Sequence, residues 1–302
     1  MTPPATQHQI EAFPNGSFSV RNTELNECMH STIGPWVEAQ EIYLEQSNLL
    51  NCLATVSKEP HAAPWVIYDV GLGIAANSLA VLEHLGQSQT ASASPRLVMI
   101  SFETELDGIK RALQRPELFP FLERNQEIVR TLLEKGVWTG QLASGIHFNW
   151  ELKLGDFRTQ LSQCPKADLI FFDLYSPKSL PELWSYQTFQ LLAEKSHHPQ
   201  NPLELRETRL ITYSASTAVR TALLLNGFYV GKGQPTAGKK ETTLASTRRK
   251  SLTNPLSKDW LDHWQRSSQP LPRDLAEPFI PEKKEQILSQ LLAIIRDQAL
   301  SS

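Results

Sequence analysis

Short apolar runs recur through the middle of the chain, and each ends in a polar or glycine-bearing loop. The first, Trp65-Val66-Ile67-Tyr68, leads into Asp69-Val70-Gly71-Leu72-Gly73-Ile74-Ala75-Ala76-Asn77 and then into Ser78–Leu85. Arg96–Glu103, Trp150–Leu154, Ala167–Phe172 and Thr208–Tyr213 follow, and Phe228–Val230 and Thr242–Ala245 close the series. Runs of four to eight apolar residues are the signature of strands buried on both faces. Helical patterns separate them, so residues 62–247 are expected to form an α/β domain: a doubly wound sheet of seven strands, five parallel with a terminal pair. Leu106–Gly136 is expected to be mostly helical, interrupted at Pro116 and Pro120. Residues 1–61 read as an N-terminal extension. It has a turn at Asn15-Gly16, a short alternating strand at Ser17–Val20 and a helical pattern from Ser31 to about Asn51. Residues 248–302 read as a C-terminal helical extension, with a last helix over Glu282–Ala299.

The polar loops all fall at the carboxyl ends of the strands, where an open parallel sheet carries its ligand. Gly71 and Gly73 allow a tight turn and close approach of a ligand to the backbone. The helix that follows offers free N–H groups at its start. A nucleotide-like cofactor is therefore expected there, with Asn77 at the mouth of the helix. Glu103 ends the second strand, where an acid accepts hydrogen bonds from ribose hydroxyls. It lies 30 residues after Gly73 rather than the usual ~20, and the polar insert Gly86–Pro95 supplies most of the excess. Asp156 follows the third strand, either to hold an adenine amino group or to cap the next helix. Asp173 follows a wholly apolar strand and is flanked by aromatic and proline residues, which favours a place in the crevice over a loop cap.

Charge and composition narrow the partners. Net charge is −3, so any nucleic acid must be met by a local patch; Lys239-Lys240 and Arg248-Arg249-Lys250 are the candidates, against solvated loops. Cys28, Cys52 and Cys164 show neither paired nor metal-ligand spacing, which fits a reduced cytoplasmic protein without a metal. His197-His198 reads as a surface loop. No apolar stretch is long enough to span a membrane, and no signal peptide is evident.

Several blocks, taken in order, resemble the methyltransferase half of the MnmC-type tRNA modification enzymes. Asn15-Gly16-Ser17, His30-Ser31 and Gly34-Pro35-Trp36-Val37-Glu38-Ala39 are similar to that family's opening. Asp69–Asn77 resembles its cofactor loop, Ile100–Glu103 its second-strand acid, and Leu154-Gly155-Asp156 its adenine-side block. Phe172-Asp173-Leu174-Tyr175-Ser176-Pro177-Lys178 with Pro181-Glu182-Leu183-Trp184 is similar to its Leu-Asp-Gly-Phe-Ala-Pro segment and following Trp. Thr212–Ala215, Val219-Arg220 and Gly238–Glu241 complete the match, which spans about residues 14–247.

The resemblance implies a Rossmann-like S-adenosylmethionine-dependent methyltransferase that acts on the aminomethyl group of a wobble uridine in tRNA. It implies cofactor contacts from Asp69, Gly71, Gly73, Asn77, Glu103 and Asp156, and a catalytic Asp173 that orients the acceptor amine. Tyr175 or Trp184 would stack on the base, the alternative for Trp184 being core packing; Lys178, Lys239 and Lys240 would meet phosphate. Only the 55 residues after position 247 remain for anything else, without a second glycine fingerprint. A stand-alone methyltransferase lacking the flavin half is therefore expected, supplied by a separate oxidoreductase or modification enzyme. Three departures stand out: Ala75 replaces a glycine and is expected to crowd the cofactor, Leu174-Tyr175-Ser176 replaces Gly-Phe-Ala, and Pro199–Glu207 replaces a Pro-Gly-Gly turn. The rival readings are a methyltransferase or aminopropyl transferase for a small amine, a non-catalytic scaffold, and, least favoured, a nicotinamide-dependent dehydrogenase.

Overall fold

The apolar runs pair side by side. The computed structural model describes residues 7–56, 63–88, 95–199, 206–235, 240–277 and 281–300. Strands β1 (His8–Ala12), β2 (Phe18–Asn22) and β3 (Glu27–Cys28) form a small antiparallel sheet. The main sheet holds β4 (Trp65–Val70), β5 (Arg96–Glu103), β6 (Val137–Gln141), β7 (His147–Leu154), β8 (Leu169–Phe172), β9 (Arg209–Thr212), β10 (Tyr229–Lys232) and β11 (Thr243–Ser246). Its order is β10-β11-β9-β8-β4-β5-β7-β6. The five strands β4, β5, β7, β8 and β9 pair in parallel, whereas β6 and β11 run antiparallel to their neighbours.

The sheet has eight strands rather than seven. The extra one, β6, lies on the edge and alternates only between exposed and half-buried positions, so its apolar signal is weak. It starts directly after Gly136, whose left-handed φ of 73° ends the helix Gln126–Lys135. The small sheet is likewise larger than Ser17–Val20 suggested.

Side chains of β4 alternate between two cores. Trp65 and Ile67 join one, and Val66, Tyr68 and Val70 the other. The first core takes in α1 (Ala76–Gln87) together with Val20, Ile42, Tyr43 and Leu44 from the N-terminal segment. The second takes in α2 (Tyr186–Glu194), α3 (Thr217–Leu225), α4 (Lys258–Arg266) and α5 (Pro281–Leu300); Trp260, Trp264, Ile287, Leu291 and Ile295 are its C-terminal contribution. Each extension thus covers one face of the sheet. His197-His198 is half-buried rather than a plain surface loop: His198 Nε2 lies 2.9 Å from the Ala193 carbonyl, and His197 lies 3.6 Å from the buried Asp168. Among the described residues no helix is long and apolar enough to cross a membrane.

After β4 the chain builds outward to β5 on one side and later to β8 on the other. Strand order therefore reverses at β4, and a crevice opens above the carboxyl ends of β4 and β8.

Candidate active site

A cavity of about 320 Å3 occupies that crevice, within the range of small-molecule sites. Gly71, Gly73, Asn77, Glu103, Asp156, Asp173 and Tyr175 all line it.

The glycine turn is built by close approach. Gly71 has φ 97°, and a Cβ placed there would lie 2.4 Å from the Asp173 carbonyl oxygen. Gly71 N and Leu72 N both donate to the Phe102 carbonyl, at 3.0 and 3.1 Å, binding the turn to the end of β5. Glu103 fixes the same turn from the side chain: one carboxylate oxygen accepts from Gly73 N at 3.0 Å, the other from Thr104 N at 2.8 Å. Burial raises the Glu103 pKa, and these backbone donors oppose that rise. Ala75 is fully buried in the left-handed region at φ 65° and does not line the cavity, so it does not crowd a ligand.

Asp69 also departs from its expected place. It lies within β4, wholly buried, and does not line the cavity. Its carboxylate accepts from the Ser78 and Ser101 hydroxyls, at 2.5 and 2.8 Å, and so braces α1 against β5 beneath the turn. Burial raises its pKa from 3.8 to about 6. Between those values the folded chain holds a proton that the unfolded chain has released, so this group lowers stability as pH rises from about 4 to 6, by on the order of 3 kcal/mol. Asp69→Asn is expected to remove that dependence, gaining on the wild type in melting temperature across the window. Parallel melting profiles for the two proteins would contradict the assignment.

Asp156 takes the capping part weighed for it and also faces the cavity. It caps the helix Phe157–Gln160 by accepting from Arg158 N at 3.0 Å. The Arg158 guanidinium, 2.6 Å away, lowers its pKa, so it stays ionised.

Asp173 sits one residue beyond β8, with its N–H donated to the Val70 carbonyl at 2.9 Å. Asn77, at the start of α1, donates its side-chain amide to the carboxylate at 2.8 Å. Tyr43, buried, and Tyr213, half-buried, lie beside it; burial first, and then the Asp173 charge, raise both phenols well above their usual pKa, so both remain neutral. Tyr213 donates to the Leu174 carbonyl at 2.9 Å. The Tyr175 hydroxyl is buried with no hydrogen-bond partner among the described residues, although its ring faces the cavity.

The N-terminal sheet supplies what motif reading did not assign. His8, Met29 and His30 line the same cavity. Burial depresses the His30 pKa to about 3, so it is uncharged at neutral pH. Glu27, on β3, accepts from the Ser176 N–H at 2.9 Å, from the Ser176 hydroxyl at 3.0 Å and from the Ser179 hydroxyl. It thereby clamps the loop that carries Asp173. Hydrogen bonds to a charged group contribute about 1.5–3 kcal/mol each. Glu27→Gln is expected to raise KM for the acceptor several-fold with cofactor affinity kept, as steady-state kinetics and calorimetry would show; an unchanged KM would remove the clamp from the account. The one signal for this wall in the sequence was His30-Ser31, within the family-like opening block.

The remaining expected residues lie elsewhere. Trp184 is buried in the core: its ring packs edge-on to Phe172, with centroids 4.9 Å apart, and its N–H donates to the Tyr175 carbonyl at 2.8 Å. It is unavailable for stacking on a base. Lys178 is exposed on the far side of the Asp173 loop. Lys240 is exposed and lines neither cavity described, and Lys239 lies outside the described residues. Arg248 and Arg249 are engaged by Glu207 and by the Gln298 carbonyl, at 3.3 and 2.5 Å, which makes them structural.

The cavity therefore joins a glycine turn, an acid at each of three strand ends and an uncharged histidine. Such a net-negative, partly apolar pocket suits a cationic nucleoside. A family described as S-adenosyl-L-methionine-dependent methyltransferase matches residues 123–248. That match, with the relatives below, supports an S-adenosyl-L-methionine-dependent methyltransferase. Its sheet is the Rossmann-like sheet of these enzymes, and a crystal structure of MNMC2 from Aquifex Aeolicus shares the fold with a TM-score of 0.69 at 24% identity, covering 97% of this chain and 87% of that one. Two curated relatives carry the name tRNA 5-methylaminomethyl-2-thiouridine biosynthesis bifunctional protein MnmC. The protein from Polaromonas naphthalenivorans is 27% identical over 70% of this chain and 31% of its own length. That from Paracidovorax citrulli is 30% identical over 74% of this chain and 33% of its own length. This methyltransferase thus spans about a third of the length of the relatives it matches.

Proposed function

We propose that the chain methylates the aminomethyl group of a wobble uridine in tRNA, with Asp173 as the residue that holds the acceptor amine. The observation that carries this reading is the Asp173 carboxylate on the wall of the cofactor cavity, fixed by Asn77 at 2.8 Å. The names of the relatives point to the substrate.

The lining residues fit S-adenosylmethionine. Gly71 and Gly73 leave room for its methionine part against the backbone, Glu103 suits its ribose hydroxyls and Asp156 its adenine amino group. When bound, it would supply an electrophilic methyl group, its S–CH3 bond breaking as the sulfur leaves as a neutral thioether. The acceptor nitrogen must arrive neutral, with its lone pair free to form the new N–C bond. Asp173 accepts a hydrogen bond from that nitrogen, which orients the lone pair and stabilises the ammonium that forms, before its extra proton leaves. Asn77 holds the carboxylate in place, so positioning carries most of the acceleration. The neutral His30 adds no repulsion to the cationic sulfonium. Tyr175, rather than Trp184, is the aromatic available to the base. A separate oxidoreductase or modification enzyme would supply the aminomethyl group.

The test is methylation of tRNA against free small amines as competing acceptors. Transfer to tRNA with none to polyamines supports the reading, and the reverse pattern would move the enzyme to small-amine chemistry.

A further inference from the structure

A second cavity, of about 700 Å3, lies behind the loop that carries Asp173. One segment separates the two. Asp173, Leu174 and Tyr175 line the first cavity, and Ser176, Pro177 and Lys178 the second. The opposite wall of the second is the stretch 268–277 with Lys284 of α5. That wall is fastened to the domain. Asp274 accepts from the backbone N–H groups of Tyr186 and Gln187 at the start of α2, both at 3.0 Å. Trp264 donates to the Pro270 carbonyl at 3.1 Å and to the Thr221 hydroxyl at 2.8 Å.

The charges around this cavity are unbalanced. Lys178, Arg273 and Lys284 face a single acid, Glu277, which Arg273 engages at 3.2 Å. Lys178 is exposed and has no acidic partner among the described residues. The Lys284 ammonium is held 5.7 Å from the centroid of the Trp264 ring. Ser214, Ser216 and Ser268 add hydroxyl groups to the same lining. Cations and hydroxyls without matching acids are the chemistry that binds phosphodiesters. On a chain of net charge −3 this concentration of positive groups is a local feature.

We propose that this second cavity holds the RNA backbone next to the acceptor nucleotide, through Lys178 and Lys284, while the nucleotide itself crosses the dividing loop to reach Asp173. The inference rests on the tRNA reading and adds where the polynucleotide is gripped. The dividing wall is a single stretch of chain, Asp173 to Lys178, so the two cavities are immediate neighbours. It also gives residues 248–300 a function beyond covering the sheet, since the far wall comes from them.

The test is binding of a fluorescent anticodon stem–loop RNA, followed by anisotropy over a range of salt. Lys178→Glu with Lys284→Glu is expected to weaken RNA binding by about tenfold or more and to lower the salt slope by about one per lysine removed. S-adenosylmethionine affinity, measured by calorimetry, should stay within about twofold, which also reports that the variant is folded. The neutral pair Lys178→Gln and Lys284→Gln should move RNA binding in the same direction by less. Unchanged RNA binding in both pairs, with a wild type that methylates tRNA, would overturn the phosphate site alone. A wild type that neither binds nor methylates tRNA would overturn the substrate reading and this site with it.

Discussion

Asp173→Asn is expected to lower methyl transfer by about 100-fold or more, the usual contribution of a group that manages charge and protons at the reacting atom. Affinity for S-adenosylmethionine should change little, because the cofactor turn is held by Phe102 and Glu103 rather than by the Asp173 side chain. The amide keeps the shape of the carboxylate and one acceptor oxygen, so the loop should stay in place. What it loses is the negative charge that favours the ammonium formed in the reaction. Single-turnover rates set against calorimetric cofactor affinity separate the two effects. Full transfer by the variant would mean that another group holds the amine. Loss of cofactor binding in step with activity would make Asp173 a structural residue.

Gly71→Ala should be the most damaging single change in the cofactor turn. The added Cβ would meet the Asp173 carbonyl oxygen at 2.4 Å and its carbon at 3.0 Å, and both are backbone atoms that cannot rotate away. The backbone is also left-handed there, at φ 97°, where an L side chain is strained by about 1–3 kcal/mol. Relief requires the turn and the Asp173 loop to part, which opens the cavity between them. Cofactor affinity is expected to fall by at least about tenfold and the melting temperature by several degrees. Gly73→Ala is the control for stability: its Cβ would meet only the Met29 sulfur at 3.8 Å within the protein, so its folding cost should be limited to about 1–2 kcal/mol of backbone strain at φ 54°. Equal losses of melting temperature in the two substitutions, or cofactor affinity kept in Gly71→Ala, would contradict the close approach.

The difference between these two glycines marks what the sequence could convey. Central strands are apolar because both of their faces are buried, so β4, β5, β8 and β9 were legible from composition alone. The edge strand β6 was not, because alternation between exposed and half-buried positions leaves little apolar signal. In the site, the acids at strand ends could be located, since a polar residue directly after an apolar strand has few other places to go. Asp69 was misassigned by one turn of the same logic. It precedes the glycines in sequence, yet β4 continues through Val70, and two hydroxyls, from Ser78 and Ser101, make a buried carboxylate tolerable. Trp184 was ambiguous because a buried tryptophan and a stacking platform carry the same residue type; its N–H on the Tyr175 carbonyl decides for the core. The wall from β1 to β3 was least legible, because Glu27, Met29 and His30 act across long separations in sequence: Glu27 reaches Ser176 over 149 residues. The second cavity has the same origin, being assembled from the Asp173 loop and the C-terminal segment.

We propose that this cavity transfers a methyl group to an aminomethyl uridine in tRNA. The direct test incubates the enzyme and labelled S-adenosylmethionine with tRNA from cells that lack the final wobble-uridine methylation step, followed by nucleoside analysis. Label is expected in 5-methylaminomethyl-2-thiouridine, and is expected to be lost in Asp173→Asn. Clear cofactor binding with no label in that nucleoside would contradict it.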